Sequence, residues 1–509
     1  MHLAMNSLAK WISFSHIRNG LVCLSIAANA LCAGGVFTFP LISPALVTHM
    51  KLTQPQLTTI AVAGMVGQYP LAPFVGKLLD RSGPRMCSFL AAVLFSLGFG
   101  LFSLEIAHTP DEISQPSTSS FRRLTVYFAL ASFGTVLSYF SSVFSATRTF
   151  PHYMSVASGT SMALFGFSPL VLSAIANALF TTPESGLDVT HFLAFLAVVS
   201  GVVHLFGTLA MPGQEPLTSL THRHADEEIG PSTSSDTSPT EFVDDENVGA
   251  EEEPLLVRRN KPKGTNTDIA VHVVPVPEPQ HGSVKDLLKD SNFWLLVVVI
   301  LILVGAAEMV MANLGSIYMS LPSSSGASPD VSTAVQLLSA SNTFTRLAVG
   351  PVADYVSPVA SYIHTGVWSF PRKHHVSRIV FLLGACVLLA ITFAWLEVGI
   401  RTREAIWSLS LGVGVVYGTT FTVLPGILSS IWGLPNLGRN FGIISYAPFV
   451  GTTVFSYLYA FVADHYTSPG EDACSGVACW KLTFWLSAGF AITAVGISGF
   501  LWKRWRGRV

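Results

Sequence analysis

Apolar residues in this chain do not recur in the narrow stripe of a helix that buries one face; they fall in long, nearly unbroken runs. The stretch 293–319, FWLLVVVILILVGAAEMVMANLGSIYM, is representative. A hydrocarbon layer about 30 Å thick is crossed by roughly 20 residues of helix, and backbone inside it must find its hydrogen bonds within its own segment. Each run therefore predicts one spanning helix. Six come first, at 21–41, 57–78, 86–106, 124–144, 153–180 and 192–210. Six more lie at 293–319, 331–353, 379–398, 406–431, 441–462 and 482–502. The pattern predicts an all-α integral membrane protein with twelve transmembrane helices in two pseudo-symmetric six-helix bundles, 1–211 and 290–509, joined by a polar segment 212–289.

Composition agrees. Of 509 residues, 50% are hydrophobic and 11% charged, where a soluble domain carries about a quarter charged, so the lipid bilayer is the main solvent. A net charge of -2 gives no reason to expect a nucleic-acid partner. The segment 212–289 holds 15 of the 30 acidic residues and tracts such as PSTSSDTSPT, too little apolar surface to fold alone, and is expected to be a disordered loop. The first 20 residues are too polar for a signal-peptide core, so the run after Arg18 is expected to be a retained first helix. Placing the N-terminus in the cytoplasm puts 21 Lys and Arg on that side and six on the other, with Arg346 inside a span. By the positive-inside rule both termini and the large loop are cytoplasmic.

Between the second and third runs the chain reads GKLLDRSGPR. Gly76, Leu78, Asp80, Arg81, Gly83 and Arg85 fall at the places of the G-x-L-x-D-R-x-G-x-R loop of the major facilitator superfamily, and the chain resembles that family here. The resemblance implies a conformational latch, in which Gly76 admits close helix approach and Asp80 caps a helix or meets a basic residue. Turn residues with positive-inside charges are the plainer alternative. The second half echoes the device, with Gly350 and Asp354 in GPVADYVSP at the spacing of Gly76 and Asp80. The pairs Phe167-Ser168-Pro169 and Tyr446-Ala447-Pro448 add a weaker repeat, and parallel six-helix repeats with a midplane substrate site are how such transporters are built. The segment from AGG-VFTFP-LISPAL through LTQPQLTTI is similar to the nodulin-like and monocarboxylate-transporter-homologue branch, and to its fungal members above all. Arg346 precedes Gly350 by four, as in monocarboxylate transporters. Those carry an Asp four residues before the Arg where this chain has Asn342, so their aspartate-based mechanism does not transfer.

Two charges sit deep in the spans, Glu308 in the seventh and Arg346 in the eighth. An intramembrane charge is expensive and normally faces a cavity or a partner. One reading makes Glu308 a protonatable coupling group and Arg346 an anchor for an anion; the other pairs them as a fixed bridge between helices. Asn29, Asn313 and Asn342 are further pathway candidates, whereas His204 and Asn177 read as packing or interhelical hydrogen bonds. Cys474 and Cys479, in the loop before the last helix on the non-cytoplasmic side, are disulfide candidates. The loop shows too few ligands for a metal. The chain has no G-xxxx-G-K-[ST], no H-E-xx-H and no G-x-S-x-G, so neither an enzyme, ATP as energy source nor a cofactor is expected.

Together these features predict a transporter of a small molecule, such as an organic anion, working by alternating access, either facilitative or secondary active with protons as the coupling partner. A non-transporting sensor of the same fold and an ion or metal exporter remain alternatives. Within the central loop, Glu251, Leu255 and Leu256 form an acidic dileucine that a sorting adaptor could read. With the fungal resemblance it points to the vacuolar membrane, the plasma membrane being the alternative.

Overall fold

The computed structural model describes residues 2–110, 115–150, 154–182, 186–211, 284–323, 331–357, 361–363, 367–369, 376–432, 437–468, 471 and 473–506. Glu251, Leu255 and Leu256 lie outside them, as does the side chain of Asp80. Helices dominate. The two short hairpins, Thr181–Thr182 with Gly186–Leu187 and Ser361–Ile363 with Val367–Ser369, are antiparallel and join consecutive helices.

In the first half, His2–Cys32 continues through a 3-10 segment, Ala33–Thr38, into Phe39–Met50. Gln54–Gln68 follows, then Ala72–Ala107, Thr118–Thr149, Met154–Phe180 and Val189–Ala210. The second half comprises Ser291–Ser320, Ser332–Val356, Ile379–Gly399, Trp407–Trp432, Leu437–Ile444 running into Tyr446–His465, and Ala478–Arg504. Polar residues at the ends start these helices by satisfying orphan amides. Thr53 and Gln56 form a capping box, Asp188 accepts from the His191 amide at 3.0 Å, and Asp290 accepts from that of Asn292 at 2.9 Å.

Among the described residues, ten helices are long and apolar enough to cross a membrane. The runs 57–78 and 331–353 fall short of that measure. The second is diluted by Asn342 and Arg346, and the first is not one helix, contrary to expectation: it stops at Gln68 and restarts at Ala72. Pro70 and Pro73 explain the break, because neither supplies an amide to the helical ladder. A second correction concerns the loop motif. Instead of a loop, Ala72–Ala107 passes through it with one interruption, Gly83, at φ 78° and ψ 174°, a conformation essentially reserved for glycine. The run 441–462 is likewise interrupted, at Ser445. Finally, the expected disordered loop ends before 289, since Val284–Lys289 is a helix with Leu287 buried.

The halves repeat one packing scheme. Ala72–Ala107 lies against Thr118–Thr149 and Val189–Ala210, as Ile379–Gly399 lies against Trp407–Trp432 and Ala478–Arg504. Among the described residues the halves meet mainly where Phe39–Met50 crosses Ser291–Ser320, Gln54–Gln68 crosses Tyr446–His465, and Met154–Phe180 crosses Ser332–Val356. The last two exchange under the internal repeat. Where helices must come very close, glycine removes the side chain. A Cβ on Gly305 would strike the backbone of Gly451, and one on Gly315 would strike the Pro40 carbonyl.

Candidate functional site

Glu308 lies midway along Ser291–Ser320, one turn beyond the Gly305–Gly451 crossing, and is 1% exposed. Its two oxygens collect three hydroxyls. The Tyr69 hydroxyl donates to Oε1, Tyr417 donates to the same oxygen at 3.1 Å, and Thr452 donates to Oε2 at 2.6 Å. Tyr69 belongs to the first half and stands at the break before Pro70, so the interruption aims this phenol at the acid. Thr452 follows Gly451 and is brought in by the glycine crossing. A buried carboxylate needs such donors, and hydroxyls can also turn to accept, so the same cage can hold the ionised or the protonated acid.

Arg346 does not pair with Glu308; its Nε donates to Asn342 Oδ1 at 2.9 Å, one turn back on its own helix. Of the two readings of these charges, the fixed bridge is therefore not the arrangement in this structure. Instead the guanidinium lies over two rings of Trp407–Trp432, with Cζ 5.8 Å from the Tyr417 centroid and 5.6 Å from that of Phe421. Tyr417 therefore stands between the two deep charges, its hydroxyl on one and its ring face under the other. From the first half, a Cβ on Gly166 would come within 3.4 Å of Asn342 Nδ2 and 3.8 Å of Arg346 Nε. Ser339 ties the same crossing by donating to the Gly166 carbonyl at 2.7 Å and accepting from the Leu170 amide at 3.1 Å. Two small cavities open between the halves here. One is lined by Phe37, Pro40, Met311, Ser339 and Asn342, the other by Phe37, Met65, Phe128, Met311 and Glu308.

Asn313 also bridges the halves, accepting from Gln54 Nε2 at 2.9 Å while donating to the Met309 carbonyl at 2.9 Å. Thr59 and Tyr457 add a hydroxyl pair at 2.9 Å on the same side of the molecule. Asn29, expected in the pathway, is elsewhere. It is fully buried inside the first half, donates to Ser88 Oγ at 2.9 Å and packs beside Gly207. His204 shares that interior, with Nε2 2.6 Å from Ser138 Oγ and Nδ1 2.7 Å from the Ser200 carbonyl.

The loop motif divides by role. Arg85 Nε donates to the Met211 carbonyl at 2.7 Å, fastening the Ala72–Ala107 helix to the end of Val189–Ala210, while Arg81 is exposed. Among the described residues, a Cβ on Gly76 would meet only Phe140, at 3.8 Å, so the close approach expected there is not made with them in this conformation. Gly350 is as open, with Thr422 at 3.6 Å. Asp354 pairs with Arg378 at 2.5 Å, joining the ends of two consecutive helices. On the opposite face Cys474 and Cys479 are joined as a disulfide; Gly476 within that loop donates to the Ser320 carbonyl at 2.7 Å.

Sequence reading singled out the two charges but not Tyr69, Tyr417, Thr452 or Gln54. Tyrosine and threonine are unremarkable in a span, and Tyr69 is 239 residues from its partner. The one available signal was Pro70, which marks a helix break.

Fungal relatives align along most of the chain. The "Probable transporter MCH1" of Gibberella zeae is 27% identical, covering 95% of this chain and 89% of its own. That of Saccharomyces cerevisiae is 26% identical, covering 93% and 91%. Among solved structures, the fold is similar to the inward open xylose transporter XylE from E. coli, with TM-score 0.59, 12% identity, and 94% and 95% of the two chains covered. It is also similar to nucleoside transporter NupG, with TM-score 0.56, 12% identity, and 96% and 99% covered. The sequence pattern described as Major Facilitator Superfamily matches residues 24–454. The protein is thus a member of the major facilitator superfamily, a transporter fold rather than an enzyme, and resembles its fungal MCH1-like branch.

Proposed function

We propose that this chain carries a small organic anion, such as a monocarboxylate, together with a proton by alternating access, the halves rocking about the Glu308 and Arg346 region. One observation carries the reading: a buried acid held by hydroxyls from both halves stands one ring away from a guanidinium that, among the described residues, no carboxylate neutralises directly. Arg346 keeps its planar fork for the anion, and Glu308 is the proton carrier. The two small cavities beside them set the position of the solute.

The remaining features fit around this core. With twelve spans both termini and the central loop share one face, which the excess of Lys and Arg there makes the cytoplasmic one, and the motif residues Gly76, Asp80, Arg81, Gly83 and Arg85 act as the latch on that side, with Gly350 and Asp354 as its second-half counterpart. Asp80→Asn should then raise cysteine labelling within the cytoplasmic vestibule. Glu251, Leu255 and Leu256 direct the protein to the vacuolar membrane, and replacing both leucines by alanine should redistribute a tagged protein.

Uptake into reconstituted vesicles, with candidate solutes chosen by comparing the contents of organelles with and without the protein, tests the main reading. Arg346→Lys keeps the charge but loses the fork and much of the ring stacking, so uptake should fall by roughly tenfold or more while expression is unchanged. Normal uptake by Arg346→Ala overturns it.

A further inference from the structure

We infer that Tyr417 is the positioning residue that couples the two ligands: it links occupancy of Arg346 by an anion to occupancy of Glu308 by a proton. The inference rests on the function proposed above and adds the means by which the two events are made dependent on each other.

The geometry is that of a relay with one moving part. Tyr417 is buried, its hydroxyl is 3.1 Å from Glu308 Oε1, and its ring lies under Arg346 with Cζ 5.8 Å from the centroid. Phe421, 4.8 Å from the Tyr417 ring, forms the rest of the platform and has no hydroxyl, so the route to the acid runs through Tyr417. A cation over a phenol withdraws electron density from the ring and makes its hydroxyl a better donor. While Arg346 is unoccupied, that donor favours the ionised carboxylate. An anion on Arg346 weakens the pull, the support for the negative charge drops, and a proton on Glu308 becomes the cheaper way to hold the acid out of water. By reciprocity, a proton on Glu308 favours the anion on Arg346.

The groups that face this unit are few. Tyr69 reaches Glu308 from the first half, Thr452 reaches it from the Tyr446–His465 helix, and Tyr139 lies within electrostatic range of Arg346. Asn342, the direct partner of Arg346, is neutral and cannot answer a change of charge by ionising. Thr452 bonds the other carboxylate oxygen and Tyr69 belongs to the other half, which leaves Tyr417, among the described residues, as the contact of both charges.

Purified protein in sealed vesicles tests this with lactate, pyruvate and mandelate as probes, protein-free vesicles giving the leak. Two quantities are read: exchange of labelled probe for unlabelled probe, which needs no net proton movement, and net uptake with acidification of an entrapped pH dye. Tyr417→Phe keeps the ring and removes the relay. It is expected to retain exchange within about threefold, lose net proton-linked uptake by about tenfold, and exchange with a flat pH profile. Tyr417→Leu removes the platform as well and should lose both quantities, while Tyr459→Phe, a buried tyrosine on the Tyr446–His465 helix, should change neither. Parent-like behaviour of Tyr417→Phe in both quantities and in pH profile overturns the inference. So does joint loss of exchange and uptake in a folded Tyr417→Phe protein, which would make the hydroxyl a contact for the anion alone. If the parent exchanges none of the probes, the proposed function fails first, and the coupling falls with it.

Discussion

Tyr69 and Thr452 hold Glu308 from opposite halves, but with different consequences. Thr452 shares a half with the acid and stays with it when the halves part; Tyr69 must let go. Tyr69→Phe should therefore cost, as a folding lesion, about 1.5–3 kcal/mol for one hydrogen bond to a charged group, seen as a drop in thermal midpoint. Its larger effect should be on the face carrying the Gln54–Asn313 and Thr59–Tyr457 pairs, where an introduced cysteine should label faster. Unchanged labelling would show that the phenol is not part of the closure. The acid and the arginine were legible in the sequence because a charge inside an apolar run advertises itself. Their surroundings were not: nothing in a single span says which of its tyrosines will meet a residue hundreds of positions away. The surroundings of Asn29 were hidden for the same reason, since whether a polar side chain turns toward a cavity or a neighbouring helix depends on partners such as Ser88 and Gly207.

Helices that cross at Gly305 and Gly451 have no room for a methyl group, because the added carbon would strike backbone that cannot rotate away. Gly305→Ala and Gly451→Ala should each destabilise the protein by about 1–3 kcal/mol. Gly442 is the control. A Cβ there meets nothing within 4 Å, so Gly442→Ala should leave the thermal midpoint unchanged or raise it slightly, in line with helix propensity worth about 1 kcal/mol. Equal effects at the three sites would refute the crossing as the source. At this scale the apolar runs located most helices well, since length and hydropathy decide what can cross a bilayer. They could not reveal the interruptions at residues 69–71, Gly83 and Ser445, where one or two residues change the backbone while the surrounding hydropathy stays the same. The 3-10 turn at Ala33–Thr38 escaped for that reason too, although its residues Val36 and Phe37 line a cavity beside Glu308.

Across the whole molecule, the end of the Glu308 helix is anchored on the face away from Gly83. The disulfide loop holds the Ser320 carbonyl through Gly476, Trp480 reaches Ser320 Oγ at 3.2 Å, and Arg403 Nε reaches the Leu321 carbonyl at 2.7 Å. Replacing Cys474 and Cys479 with serine should cost about 2 kcal/mol, as expected for so short a loop, and lower the thermal midpoint. If that face is non-cytoplasmic, an impermeant reductant outside sealed organelles should leave the bond intact until detergent is added; reduction without detergent would reverse the assigned orientation. Glu308 and Arg346 are both carried by the second half, on Ser291–Ser320 and Ser332–Val356. When that half moves through the membrane field their opposite charges travel together, so the empty carrier does no electrical work. Nor does a carrier loaded with one monoanion and one proton. Glu308→Gln leaves Arg346 as a lone charge on the empty carrier, and each 100 mV then weighs about 2.3 kcal/mol on a full crossing. Clamping the voltage across vesicles should leave the parent's turnover unmoved and make that of Glu308→Gln rise or fall with the sign of the potential.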